Sequence, residues 1–179
     1  MAVQQTRTRS YYPEWRDAIL AAQERALIDT GLAIVATAAE NIQQNGNVFT
    51  GNLMRSLGIS NEIRKESDGR WLLDIGIMAT SSRESAEQAF QYAMAIERGT
   101  RPHFPPLEPI RHWVRRKLHI SEDEADGVAW AICIAISRTG TRARPFYLPA
   151  YDRHVAELQP RFQQYLAEEL DRRGIQNVA

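Results

Sequence analysis

Apolar and polar positions along this chain follow two different periods, and each change of period marks an element. From Pro13 to about Gln44, Leu20, Leu27, Ile34, Ala38 and Ile42 fall near one stripe at helical spacing, with Trp15 and Ile19 beside it. Pro13 suits a first helical position, and Asn45-Gly46-Asn47 accepts the left-handed backbone that closes a helix. Gly31 sits inside the run and argues against one unbroken helix, since an interior glycine costs about 1 kcal/mol relative to alanine. Thr50 is an N-cap candidate for a short helical turn over 51–57.

The period then shortens. Leu57, Ile59 and Ile63 alternate loosely, and after Ser67-Asp68-Gly69, a hairpin signal, Trp71, Leu73, Ile75 and Ile77 alternate with their neighbours. A lone hairpin is barely stable, so these four side chains are expected to be buried beneath the first helix.

Helical spacing returns after Ser81, which forms a capping-box pattern with Glu84. Ala86, Ala89, Phe90, Ala93 and Ile96 follow, and Gly99 stops the run. Beyond a proline-rich stretch, Ile110, Trp113, Val114 and Leu118 predict a short amphipathic helix. Ser121 with Glu124 opens another, whose segment from Val128 to Ile136 is apolar nearly all round and reads as buried. In the last part of the chain Tyr151, Val155, Leu158, Phe162, Tyr165 and Leu170 recur at steps of three and four. Pro160 predicts a kink or restart there, and Gly174 a stop. The fold class is therefore α+β: a small antiparallel sheet packed against a long N-terminal helix and a C-terminal helix, with a helical insertion. Residues 1–12 read as a polar arm, and 13–179 as one domain whose insertion covers about 101–142.

Charge narrows the function classes. Twenty-two Lys and Arg balance 22 Asp and Glu among 179 residues, against the positive excess of a dedicated nucleic-acid binder and without long-range self-repulsion. No apolar stretch approaches the roughly 20 residues of a membrane-spanning helix, so no membrane partner is expected. The histidines His103, His112, His119 and His154 lack metal-ligand spacing and read as surface side chains. Glu122-Asp123-Glu124 suits a helix N-terminus better than a calcium loop, and Cys133 lies within an apolar run as an inert thiol. No catalytic residue, cofactor or metal site is assigned. A basic cluster including Arg98, Arg111, Arg115, Arg116 and Lys117 reads chiefly as a solvated face balancing Glu122–Asp126, and alternatively as a face for DNA or an acidic partner.

Three segments, taken in order, carry a resemblance. The first is Phe49-Thr50-Gly51-Asn52-Leu53-Met54-Arg55-Ser56-Leu57. The second is Tyr92-Ala93-Met94-Ala95-Ile96-Glu97-Arg98-Gly99-Thr100. The third is Ala143-Arg144-Pro145-Phe146-Tyr147-Leu148-Pro149-Ala150. Followed by a long C-terminal helix, they resemble the head–tail connector and tail-completion family of long-tailed bacteriophages, over roughly residues 13–173. The two helices between Thr100 and Ala143, and the arm 1–12, are additional to the minimal family pattern.

The resemblance implies a structural virion protein without catalysis, a tail-completion or tail-terminator ring at the neck, assembled in the host cytoplasm, with a hexamer favoured. Its implied partners are other copies of itself, adjacent neck, portal-side and tail-tube proteins, and genomic DNA passing non-specifically through the lumen. A head-completion or adaptor ring on the portal is the alternative within that class. A small DNA-binding regulator using the Arg98–Lys117 face is the alternative outside it.

Overall fold

The structure is a computed structural model, and it describes residues 12–46, 51–78 and 83–175. In chain order these form α1 (Tyr12–Gln44), α2 (Asn52–Ser56), β1 (Leu57–Ile59), β2 (Arg64–Lys65), β3 (Trp71–Leu72), β4 (Ile75–Ile77) and α3 (Arg83–Arg98). Then follow α4 (Leu107–Leu118), α5 (Glu122–Thr139), α6 (Leu148–Val155) and α7 (Leu158–Arg172). The class is α+β as expected, with antiparallel strand pairs set against the long first helix and the C-terminal helices. Residues 1–11 of the arm and Ser81 of the first capping box lie outside the described residues, whereas Tyr12, read as the end of the arm, opens α1.

α1 is the spindle for the strands, α6 and α7. Its buried positions are Ala18, Ala22, Ala26, Thr30, Gly31, Ile34, Ala38 and Ile42, while Leu20 and Leu27, placed on the stripe by sequence, are only partly buried. A step of four residues overshoots one turn by 40°, so the buried line precesses by roughly 240° from Ala18 to Ile42. Different elements therefore grip different sides. Near its start Ala18 packs with Leu170 and Ile175; farther on, Ile34, Ala38 and Ile42 enclose Leu53, Ala93, Phe146 and Ala150.

The helix is unbroken at Gly31. An added Cβ there would lie 2.9 Å from Leu73 Cδ2 and 3.0 Å from Ile59 Cγ2, so the glycine is where the hairpin touches down. The hairpin itself is interrupted. Leu57 pairs with Ile77 and Ile59 with Ile75, whereas Arg64 pairs with Leu72 and Lys65 with Trp71. Ser60 to Ile63 on one strand thus face only Leu73 and Asp74 on the other, a bulge pinned by Arg64 on the Asp74 carboxylate at 3.0 Å. The expected burial of Trp71, Leu73, Ile75 and Ile77 is accordingly only half realised. All four remain partly accessible, and Ile75 and Ile77 are the two that reach the core cluster. Two paired strands are too narrow to be covered on every side.

The C-terminal periodicity divides at a turn. α6 ends at Val155 and α7 begins at Leu158, which puts Pro160 in the first turn of α7, where a missing N–H loses no intrahelical bond. The turn shifts the phase. α6 buries Ala150 and His154, leaving Tyr151 and Val155 exposed against expectation, while α7 keeps its periodic face and buries Leu170. Gly174 closes α7, with Ile175 N–H bonded to Leu170 O and Gly174 N–H to Asp171 O, each at 2.9 Å. Within the α6–α7 turn, His154 is buried rather than on the surface. Its Nε2 lies 2.8 Å from Thr37 Oγ1 and its Nδ1 3.3 Å from Glu157. Hydrogen bonds from Arg161 and His154 hold the Glu157 carboxyl below its usual range.

α4 and α5 pack chiefly on each other around Val114, Ala125 and Ala129. The capping box on Ser121 and Glu124 is present. Cys133 is buried, but α5 is not covered all round: Trp130 is 50% exposed and stands edge-on to Phe104, itself 52% exposed. Phe90 on α3 is likewise exposed, contrary to its place in the apolar run.

Replacing Gly31 with leucine should overpack the seat of the hairpin and cost about 1–3 kcal/mol. Alanine should be nearly neutral, because helix propensity offsets the contact. Urea unfolding measures both; a Gly31→Leu chain as stable as the parent would place the hairpin elsewhere. A second expectation concerns acid. The lowered Glu157 contributes stability above the ordinary carboxylate range, and that contribution is lost as pH falls through its depressed value. Glu157→Gln should therefore show a smaller fall in urea midpoint than the parent between about pH 5 and pH 3.

Candidate functional site

The three motif segments meet at one place. Leu53 from the first, Ala93 from the second, and Phe146 and Ala150 from the third are all buried in a single cluster with Ile34, Ala38 and Ile42 of α1. Thr50 lies outside the described residues; the N-cap position of α2 is held by Gly51, with φ +74° and no side-chain cap. Asn52 Oδ1 accepts from Arg55 at 2.5 Å. Ser56 is buried, donates to Leu53 O at 2.8 Å, and through its own carbonyl accepts Met78 N–H at 2.7 Å. The first segment is thus a turn that delivers the chain into β1.

Glu97 joins the second segment to the third. Its Oε2 accepts the backbone N–H groups of Phe146 at 2.8 Å and Tyr147 at 3.0 Å, and its Oε1 accepts that of Leu148 at 2.9 Å. A carboxylate from α3 therefore satisfies the free donors at the start of α6 and sits at the positive end of that helix. Pro149 lies in the first turn of α6, behind Leu148, which opens the helix. Helix α1 holds the same crossing from its other side. Asn41 Nδ2 donates to Phe146 O at 2.9 Å, Asn45 Nδ2 to Pro145 O at 3.2 Å, and Arg144 Nη1 to Asn45 O at 3.1 Å. Sequence reasoning missed Asn41 and Asn45; two asparagines four residues apart near a helix end were the available signal.

Gly99 and Thr100 form the base of the insertion. Thr100 and Thr141 exchange backbone hydrogen bonds at 3.1 and 3.2 Å, and their hydroxyls are 3.0 Å apart. A Cβ on Gly99 would stand 2.4 Å from Thr141 O, and one on Gly140 2.0 Å from Thr100 O, so both positions exclude any side chain. The insertion therefore leaves and returns through one tight bridge, which sets its base at 100 and 141. Tyr92 is 46% exposed, and Ala143 and Pro145 are exposed.

The basic cluster is partly neutralised within its own lobe. Arg111 contacts Glu108 and reaches Asp126 at 2.5 Å, and Arg115 contacts Glu122. Arg116 and Lys117 are exposed. Of the four residues proposed for an interface or a DNA path, Arg111 and Arg115 therefore pair with acids of α4 and α5. Among the described residues no group of three His, Cys, Asp or Glu is placed to hold a metal, and no helix is long and apolar enough to cross a membrane.

No family model matches this chain, and neither a curated protein nor a solved structure resembles it significantly.

The carboxylate junction makes a direct prediction. In Glu97→Gln one acceptor oxygen is replaced by an amide NH2, which opposes one of the three backbone donors. The expected loss is about 1–3 kcal/mol in urea unfolding. Amide exchange at Phe146, Tyr147 and Leu148 should speed up selectively; unchanged exchange there would mean that the carboxylate does not hold the start of α6.

Proposed function

We propose that this chain is a structural virion protein that forms a ring at the neck of a long-tailed phage, joining the DNA-filled head to the tail in a tail-completion or tail-terminator role. A hexamer is the favoured stoichiometry. The observation that carries the reading is the joining of three motif segments, far apart in sequence, at one buried junction through Leu53, Ala93, Glu97, Phe146 and Ala150. Their order and spacing then have a single physical reason, the construction of one subunit.

Surface composition supports self-association. Zero net charge removes long-range repulsion between copies. Apolar side chains remain in coherent groups, with Trp130 and Phe104 on the insertion and Leu148, Tyr151 and Val155 along one side of α6. Grouped exposure of this kind marks interaction surface, unlike scattered single residues. The rival reading, a duplex-binding face over Arg98–Lys117, has less support, because Arg111 and Arg115 already engage carboxylates.

Light scattering after size exclusion, together with negative-stain microscopy, tests the proposal. The expected result is a mass several times the 20.4 kDa chain, with annular particles on concentration. A strict monomer at tens of micromolar would sink it. Duplex mobility shifts at about 150 mM salt, where the Debye length is about 8 Å, separate the rival. Weak non-specific binding is expected, and sub-micromolar sequence-selective binding would promote the regulator.

A further inference from the structure

The outer side of α5 carries a row of residues that no other described element covers. Asp123, Gly127, Trp130, Ile134 and Arg138 succeed one another at steps of three and four, so they fall within about 80° of the helix circumference. Ala131 borders them, and the opposite side of α5 buries Ala125, Ala129 and Cys133. Ile134 is half-buried and the rest of the row is exposed. Glu122 and Asp126 are held by Arg115 and Arg111, whereas among the described residues neither Asp123 nor Arg138 has an ion-pair partner. Gly127 is unexplained within the subunit. A Cβ there would meet nothing within 4 Å, although glycine weakens a helix interior.

The row is complementary to itself when reversed. Turned end over end about the point midway between Trp130 and Ala131, it sets Asp123 opposite Arg138, Gly127 opposite Ile134 and Trp130 opposite Ala131. Every pairing joins opposite charges, or a small residue with a large one. A parallel arrangement would set Asp123 on Asp123 and Trp130 on Trp130.

We propose that α5 is a docking surface for α5 of a second copy of this chain, packed antiparallel across a two-fold axis. Charge complementarity commits the surface to this occupant, because both unpartnered charges are satisfied by the same row on the other copy. Gly127 then has a reason: it receives Ile134 of the facing helix and lets the two backbones approach. Antiparallel helices also bring opposite ends of their dipoles together. The inference does not depend on the ring reading. A two-fold contact closes on a pair, whereas a ring is closed by head-to-tail contacts.

Disulfide trapping between full-length chains tests the register, because the native Cys133 is buried. One preparation carries Gly127→Cys and the other Ile134→Cys. Mixed and mildly oxidised, they should give a covalent dimer at twice the 20.4 kDa chain mass. Either preparation alone should give about tenfold less or lower still. Seven residues of helix set each cysteine about 10 Å from its own image, beyond the roughly 7 Å that a disulfide spans between Cα atoms. Sedimentation of charge variants gives a second reading. Asp123→Arg and Arg138→Asp should each weaken the pair about tenfold, since each change acts twice across the axis, and the double variant should recover it. No dimer from the mixture, equal trapping by either preparation alone, or a double variant no tighter than the single ones overturns the contact. If a large assembly persists in that event, the ring reading stands without it. A correctly trapped pair in a chain that never exceeds a dimer supports this contact and ends the ring reading.

Discussion

Apart from the α4–α5 lobe, the described elements are arranged around a helix whose buried line does not stay on one side. Small residues recur every fourth position from Ala18 to Ala38, interrupted by Thr30 and Ile34, and ending at Ile42. Each step advances 40° round the axis. A fixed apolar face would have been satisfied by one partner layer. A precessing one requires α7 near the N-terminal end of α1 and α2, the hairpin, α3 and α6 near its C-terminal end. Alanine at these positions also lets neighbouring backbones come close, so the packing is set by shape more than by large side chains.

Long-range order at the C-terminal end of α1 rests on polar groups as well as on burial. Phe146 is a buried anchor, and its position is over-determined: its N–H is taken by Glu97 and its carbonyl by Asn41, from opposite sides. The chain crosses itself again at Thr100 and Thr141, two residues from the Glu97–Arg98 end of α3. The base of the insertion is closed by that bridge, and its buried cluster is built from α4, α5 and the residues flanking them. The insertion carries the exposed, edge-on pair Trp130 and Phe104.

The strands are the most sparsely built part of the described chain. Two strand pairs separated by a bulge cover one side of α1, and isolated two-stranded ribbons are marginal in water. In this chain the hairpin is held by its seat on Gly31, by the Arg64–Asp74 pair and by the Tyr147 hydroxyl on Ile75 O.

Period, caps and breakers determined the inventory of elements by themselves, because these depend on residues a few positions apart. The long first helix, the hairpin, the Ser121–Glu124 capping box, the restart near Pro160 and the stop at Gly174 were all legible in the chain. The candidate junction was legible only as three motifs; that Glu97 holds the Phe146–Leu148 backbone was not, because some 50 residues separate donor and acceptor. Tertiary structure alone decided which face each element buries. It turned Gly31 from a helix breaker into a contact point and chose Ala150 and His154 over Tyr151 and Val155 on α6. It also left Trp130 in solvent within an apolar helix. In each case the local pattern states how apolar a position is, while burial depends on whether a distant segment arrives to cover it.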